Sequence, residues 1–318
     1  MNSKKTVCSL CSTVLVTLLG HASALAQDLQ HSIDSVVSDV KPALVRIYVV
    51  STDYRGGREL KRQSAGSGVI ITPEGHVISN HHVAGHATQL TCTLSNREEI
   101  PAELIATDAS TDIAIIKLLP EDGRRFPVAT FGDSDALKVG DSVLAMGSPM
   151  ALSQSVTLGI VSNTEMVMPR RMGGGSLRLD GEDVGGLVRW IAHDAFIFGG
   201  NSGGPLIDMN GQIIGINEIS FALAGAIPGN LAKSVAEALM ESGKVERSWL
   251  GVMIQPLFKS QSESTGAFVA GAVKGSPADD AGIESGDILL SVNGAPTRVR
   301  FDEDMPILNR LLSELPIG

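Results

Sequence analysis

A serine with glycines on both sides stands in Gly199-Gly200-Asn201-Ser202-Gly203-Gly204-Pro205-Leu206. Glycines let such a stretch turn tightly and aim backbone N–H groups at one point beside the hydroxyl, which is what a developing oxyanion requires. A serine hydroxyl is a weak nucleophile and needs a base. Ile78-Ser79-Asn80-His81-His82-Val83-Ala84 offers two adjacent histidines at the end of an apolar run, and composition does not choose between them. An imidazole base needs a buried carboxylate to fix its tautomer and stabilise the imidazolium. Thr111-Asp112-Ile113-Ala114-Ile115-Ile116-Lys117 places an acid directly before an apolar strand. Each segment alone has an ordinary alternative: a glycine-rich hairpin turn, a surface histidine, an aspartate opening a strand. Together they have the parts for nucleophilic acyl transfer. Their chain order, histidine then aspartate then serine, is not that of subtilisin-like enzymes or α/β-hydrolases.

The segments between them must position these groups. Short apolar runs at Leu44–Val50, Gly68–Ile71, His76–Ser79, Gln89–Leu94, Ile100–Ala106 and Ile113–Leu118 read as strands. The series continues at Ser142–Met146, Thr157–Ser162, Val188–Ala192, Pro205–Ile207 and Gln212–Asn217. Many short strands between Gly, Pro, Asn and Asp turns predict an antiparallel sandwich or barrel, and this length suits two barrels. Residues 28–42 read as an amphipathic lead-in, Asp53–Ser64 as a modest loop and Met168–Gly186 as a long functional loop. Leu231–Gly243 has helical apolar spacing and a glycine stop. Lys244–Ser248 reads as a linker before a smaller unit opening at Trp249.

The N-terminus sets the compartment. Lys4 and Lys5 precede an uncharged, mostly apolar run from Thr6 to Leu19, and small residues around Ala24 and Ala26 suit a signal peptidase. Residues 1–26 are therefore expected to be a cleaved signal peptide, with a retained inner-membrane anchor as the alternative. Cleavage would remove Cys8 and Cys11 and leave Cys92, so the core and not a disulfide must hold the fold. The chain of 318 residues has a formal net charge of −10. An acidic balance disfavours nucleic acid and anionic lipid and suits soluble protein or peptide partners.

The three segments resemble those of the HtrA (Deg) family of trypsin-like serine proteases, from about residue 35 to the end. The likeness lies in Ser79-Asn80-His81-His82-Val83, Thr111-Asp112-Ile113-Ala114 and Gly200-Asn201-Ser202-Gly203-Gly204. It extends to Phe131-Gly132-Asp133-Ser134, Val139-Gly140-Asp141, Gly147-Ser148-Pro149 and Gly159-Ile160-Val161-Ser162. The resemblance implies a mainly β fold, with a trypsin-like double six-stranded antiparallel β-barrel protease domain at 27–245. A partial α+β PDZ domain is implied at 246–318, C-terminally incomplete. It selects His82 over His81 as the base, with Asp112 orienting it and Ser202 as nucleophile. It places the oxyanion hole at Gly200, Asn201 and Ser202, and the substrate strand along Ile216, Asn217, Glu218, Ile219 and Ser220. Ile197, Gly199 and Ser220 would border the first specificity pocket. Phe198, Gly199 and Glu218 depart from the family pattern. Glu218 stands where a small neutral residue is common, and its side chain is expected to face solvent. Leu250, Gly251 and Val252 would receive a peptide carboxylate. No metal or cofactor is implied, and a homotrimer is. The expected activity is endopeptidase cleavage of unfolded periplasmic proteins, and the alternative is a non-catalytic or resting-inactive binder of exposed C-termini.

Overall fold

The computed structural model describes residues 27, 29–148, 155–167, 177–179, 182–184, 186–220, 222–257 and 265–318. The expected signal peptide, Cys8 and Cys11 lie outside these residues. The lead-in is a helix over residues 29–40 (α1), with Val36 and Val40 turned into the core.

Six strands then close the first barrel: β1 (Leu44–Arg55), β2 (Arg58–Ile70), β3 (His76–Asn80), β4 (Ala87–Thr93), β5 (Glu99–Asp108) and β6 (Ile113–Leu118). Their order round the barrel is β1-β2-β3-β6-β5-β4. Alternation does the folding work: Ile47 and Val49 of β1 are buried while Tyr48 between them is exposed. A four-residue helix, α2 (His81–Ala84), follows β3 directly. The expected loop over Asp53–Ser64 is instead the distal part of the β1–β2 hairpin. Arg55 pairs with Arg58 across Gly56 and Gly57, whose φ values of 58° and 74° fit a two-residue hairpin turn. Main-chain pairing carries this part of the hairpin. Residues 58–64 all face solvent, so they display no apolar alternation to read.

The second barrel joins β7 (Ser142–Gly147), β8 (Ser155–Met166), β11 (Trp190–His193), β12 (Pro205–Asp208), β13 (Ile213–Ser220) and β14 (Ala224–Pro228), closed in the order β11-β14-β13-β12-β7-β8. Its core includes Val143, Val161, Ile191, Leu206 and Ile214. Within the expected 168–186 loop, the described residues include a small hairpin of β9 (Leu177–Leu179) and β10 (Glu182–Val184). Strand β14 is built mostly from small residues and has no β-branched run to announce it.

Helix α3 (Gly229–Ser242) ends at Gly243, whose φ of 73° is left-handed and whose N–H caps Leu239 O. Its Ala232, Val235, Ala236 and Leu239 are buried in the same core as barrel-one residues. The last unit pairs β15 (Val252–Gln255) with β16 (Ala267–Ala272) and β16 with β17 (Ile288–Leu289). Strands β18 (Ser291–Val292) and β19 (Ala295–Pro296) form a separate hairpin. Helix α4 (Pro277–Asp280) lies between β16 and β17 in sequence, and α5 (Met305–Ser313) follows β19. Ile254, Ala267, Val269, Val299 and Leu308 make this unit's own core.

Candidate active site

Barrel one carries His82 and Asp112, the candidate base and acid. His82 sits in α2, presented by the end of β3, with its side chain 21% exposed. Asp112 is fully buried between a short 3₁₀ turn and β6, in the left-handed region at φ 56°. Aspartate tolerates that conformation better than most residues. Its Oδ2 lies 2.7 Å from His82 Nδ1, and its Oδ1 accepts from the His82 backbone N–H at 2.8 Å. The same carboxylate thus fixes both the ring and the backbone of His82. The Asp112 carbonyl accepts from the His81 N–H at 2.9 Å and from Asn80 Nδ2 at 3.1 Å. The neighbouring His81 is turned away: its Nδ1 contacts Thr107 Oγ1 at 2.6 Å.

Barrel two supplies the serine turn. Gly200 has a φ of 102° and Gly203 a φ of 84°, values that favour glycine. Gly203 has a second reason to be glycine. A Cβ there would lie 2.2 Å from Ser67 O and 2.3 Å from Ser79 Oγ, because the turn presses against barrel one. Among the described residues, the N–H groups of Gly200 and Ser202 donate to no protein acceptor. The Ser202 hydroxyl donates to the Glu218 carbonyl at 3.2 Å. Asn201, by contrast, is buried and its N–H is spent on Phe198 O at 2.9 Å.

Two residues not singled out by sequence fasten this turn. Ser67 of β2 donates its N–H to Ser202 O at 2.9 Å and its hydroxyl to Gly200 O at 2.6 Å. The same hydroxyl accepts from the Ser148 N–H at 2.8 Å. The Gly66-Ser67-Gly68 spacing was the available signal, since small residues mark close backbone approach. His193 of β11 meets Asn217 Oδ1 at 3.2 Å, and Asn217 Nδ2 donates to Gly204 O and Pro205 O at 3.1 and 3.0 Å. Burial pushes the His193 imidazole down to about 4, although its bond to Asn217 works the other way.

Strand β13 carries the expected substrate residues. Pairing of β12 with β13 ends at Ile216, so the main chain of Glu218, Ile219 and Ser220 continues past β12 beside the serine turn. Ile197 and Ile219 are buried, while Gly199 and Ser220 are on the surface. The expectation for Glu218 is corrected. Its side chain is not in solvent but only 4% exposed, with Oε2 accepting from the Trp190 indole N–H. Burial, and then the adjacent Asp112 charge, raise this carboxyl well above the usual carboxylate range. On a strand whose residues 213–219 are all buried, no alternation marks an outward face.

In the last unit, Leu250, Gly251 and Val252 line a cavity of about 270 Å³ with Trp249 and with Asn309 and Leu312 of α5. Ser110 and Leu187 of the barrels complete its wall. Among the described residues the Leu250 and Gly251 N–H groups donate to no acceptor. The unit is tethered to barrel one by Arg247, whose two terminal nitrogens meet the Asp108 carboxylate at 2.6 and 2.7 Å. Asp108 also accepts from Thr111, the residue before Asp112.

Known proteins share this architecture. Residues 66–216 match a family model described as a trypsin-like peptidase domain, and residues 268–313 one described as a PDZ domain. A probable periplasmic serine endoprotease, DegP-like, of Pseudomonas putida (strain W619) is 40% identical over 267 residues, 80% of this chain and 52% of the relative. One of the same name from Bartonella henselae is 34% identical over 343 residues, 89% of this chain and 64% of the relative. The chain spans about half the length of the first of these curated relatives (52%). Among solved structures, the HtrA-type protease AlgW with tripeptide is 30% identical, covering 89% of this chain and 88% of that one at a TM-score of 0.73. The serine endoprotease from Yersinia pestis covers 89% and 88% at 29% identity and a TM-score of 0.64. The two closed six-stranded barrels, the PDZ match and these relatives together make the chain a member of the HtrA family of trypsin-like serine endoproteases.

Proposed function

We propose that the chain is a periplasmic endopeptidase that hydrolyses peptide bonds of unfolded or misfolded proteins, with Ser202 as nucleophile. His82 Nε2 takes the Ser202 proton as the oxygen attacks a peptide carbonyl, while Asp112 holds the opposite ring nitrogen. The N–H groups of Gly200 and Ser202 receive the oxyanion. His82 then protonates the leaving amine, and water attacks the acyl-serine with His82 again as base. An extended substrate adds to the free edge of Glu218–Ser220 through main-chain hydrogen bonds. The observation that carries this reading is the His82–Asp112 pair in the barrel against which the serine turn presses, with two unspent N–H groups on that turn. The PDZ unit, residues 246–318, is assigned the capture of C-terminal peptides, with the free carboxylate at Leu250, Gly251 and Val252.

The test compares cleavage of casein by the chain and by Ser202→Ala. A rate drop of at least about 10⁴-fold is expected for removing the nucleophile. Equal cleavage by both would reject Ser202. The Ser202 hydroxyl on Glu218 O favours a second reading, a resting state that binds exposed C-termini without cutting them. Fluorophosphonate labelling separates the two: an activated Ser202 is labelled and a resting one is not.

Relatives named periplasmic support the compartment. Among the described residues no helix is long and apolar enough to cross a membrane. A homotrimer built through the protease unit, with α1 in the contact, belongs to the same reading. Deleting residues 27–42 should lower the mass in solution, and an unchanged mass would reject that role for α1.

A further inference from the structure

Two carboxyl groups sit together beneath the serine turn, and only one of them belongs to the triad. Glu218 is enclosed between β13 and the indole of Trp190 on β11. Its Oε2 takes the Trp190 N–H, its Oε1 has no other donor among the described residues, and Asp112 lies within hydrogen-bonding reach of it. The charged and titratable groups around it come from three elements. Asp112 leads into β6, His82 of α2 lies beyond it, and His193 of β11 meets the neighbouring Asn217. Arg189, next to Trp190, is paired with Glu165. No cation therefore faces Glu218 among the described residues.

Two anions side by side in a dry site cannot both persist, so one proton must be shared by the pair. The donors decide where it resides. Asp112 receives the backbone N–H and the ring Nδ1–H of His82, both of which favour its charged form. Glu218 receives one neutral indole N–H. We infer that Glu218 is a positioning residue of the triad: a neutral carboxylic acid that donates a hydrogen bond from Oε1 to the Asp112 carboxylate. Both Asp112 oxygens already serve His82, but each has a second lone pair to accept it. The result is a chain from Trp190 through Glu218 and Asp112 to His82. It clamps the acid from the barrel-two side while leaving one negative charge opposite the imidazole. The backbone of Glu218 meets Ser202 as well, so one residue of β13 touches both ends of the triad.

This inference rests on the proposed function, and its test is built to fail separately. The full chain is compared with Glu218→Gln and Glu218→Ala by steady-state cleavage from pH 5 to 10 and by NMR titration of the His82 imidazole. Glutamine is the neutral mimic: its amide N–H can donate to Asp112 and its oxygen can accept from Trp190. Glu218→Gln should keep kcat within about twofold and leave the His82 pKa within about 0.3 units at neutral pH, because no charge is removed. Glu218→Ala should lower kcat by roughly 10- to 100-fold with KM changed by less than about threefold, since it loses orientation and not substrate contact. If the glutamine variant lowers the His82 pKa by about a unit or more, Glu218 is ionised and the assignment is wrong. If the alanine variant changes neither kcat nor the His82 titration, Glu218 positions nothing. The glutamine arm decides the matter even where the alanine variant fails to fold. The imidazole titration reports on His82 whether or not the chain cuts peptides.

Discussion

Acidification should weaken this protein through His193, a residue outside the triad. Its imidazole is buried on β11, and burial holds its pKa near 4 against an ordinary 6.5. A depressed folded value means that the neutral ring costs nothing above pH 6.5. As pH falls, the unfolded chain takes up a proton that the folded chain refuses. Linkage then removes about 2 kcal/mol of stability by pH 5 and about 3 kcal/mol by pH 4. The perturbation is His193→Gln, which does not titrate and retains an N–H for Asn217. Urea unfolding can be followed by Trp190 fluorescence in a Trp249→Phe background, since these are the two tryptophans of the chain. The variant pays a fixed packing cost at pH 7.5. Its stability relative to the parent should then improve by about 2 kcal/mol at pH 5. Stability curves that run parallel from pH 7.5 to 4 would show that His193 does not govern the acid response, and the reasoning from burial would be refuted.

Glu218 carries the opposite sign. Its raised folded pKa contributes stability that is complete below its ordinary value of 4.5 and is lost as pH rises toward the folded value. Glu218→Gln should therefore gain on the parent by about 1.4 kcal/mol per pH unit across that window, read from urea midpoints. Asp108→Ala and Arg247→Ala should show a coupling of about 1 to 2 kcal/mol in a double-mutant cycle, because their fork-to-fork contact is largely shielded from water. Additive single effects would mean that the tether is passive. Gly203→Ala must fit a Cβ 2.2 Å from Ser67 O at a φ of 84°. It should cost at least about 2 kcal/mol and abolish fluorophosphonate labelling. The Cys92 thiol, buried in barrel one and pushed up to about 12, should stay inert to a thiol reagent until that barrel opens.

The candidate site was legible because it is local. Three short segments carry the candidate nucleophile, base and acid, the family resemblance chooses His82 over His81, and glycine spacing marks the turn. The barrels were legible where apolar residues alternate, as in β1, or run unbroken, as in β6. What escaped the sequence depends on contacts distant in the chain. Ser67 and Ser202 are 135 positions apart, and the glycines beside Ser67 mark a close approach without saying that the Ser202 carbonyl is what approaches. Glu218 looked like a surface acid because a carboxylate is costly inside. It lies inside because it meets Trp190, 28 positions away, and Asp112. The distal β1–β2 hairpin is set by two glycines and by pairing that polar side chains do not reveal.

His82 and Asp112 belong to one barrel and Ser202 to the other, and Ser67 pins the serine turn to the first barrel. Readiness to react is thus a matter of alignment between two barrels that share a hydrophobic core. A slip of about an ångström along the joint is enough to cost on the order of 100-fold in rate. Substitutions at the joint should accordingly slow the enzyme through misalignment as well as through any loss of stability, and would be mistaken for active-site lesions by anyone who looked only at the triad.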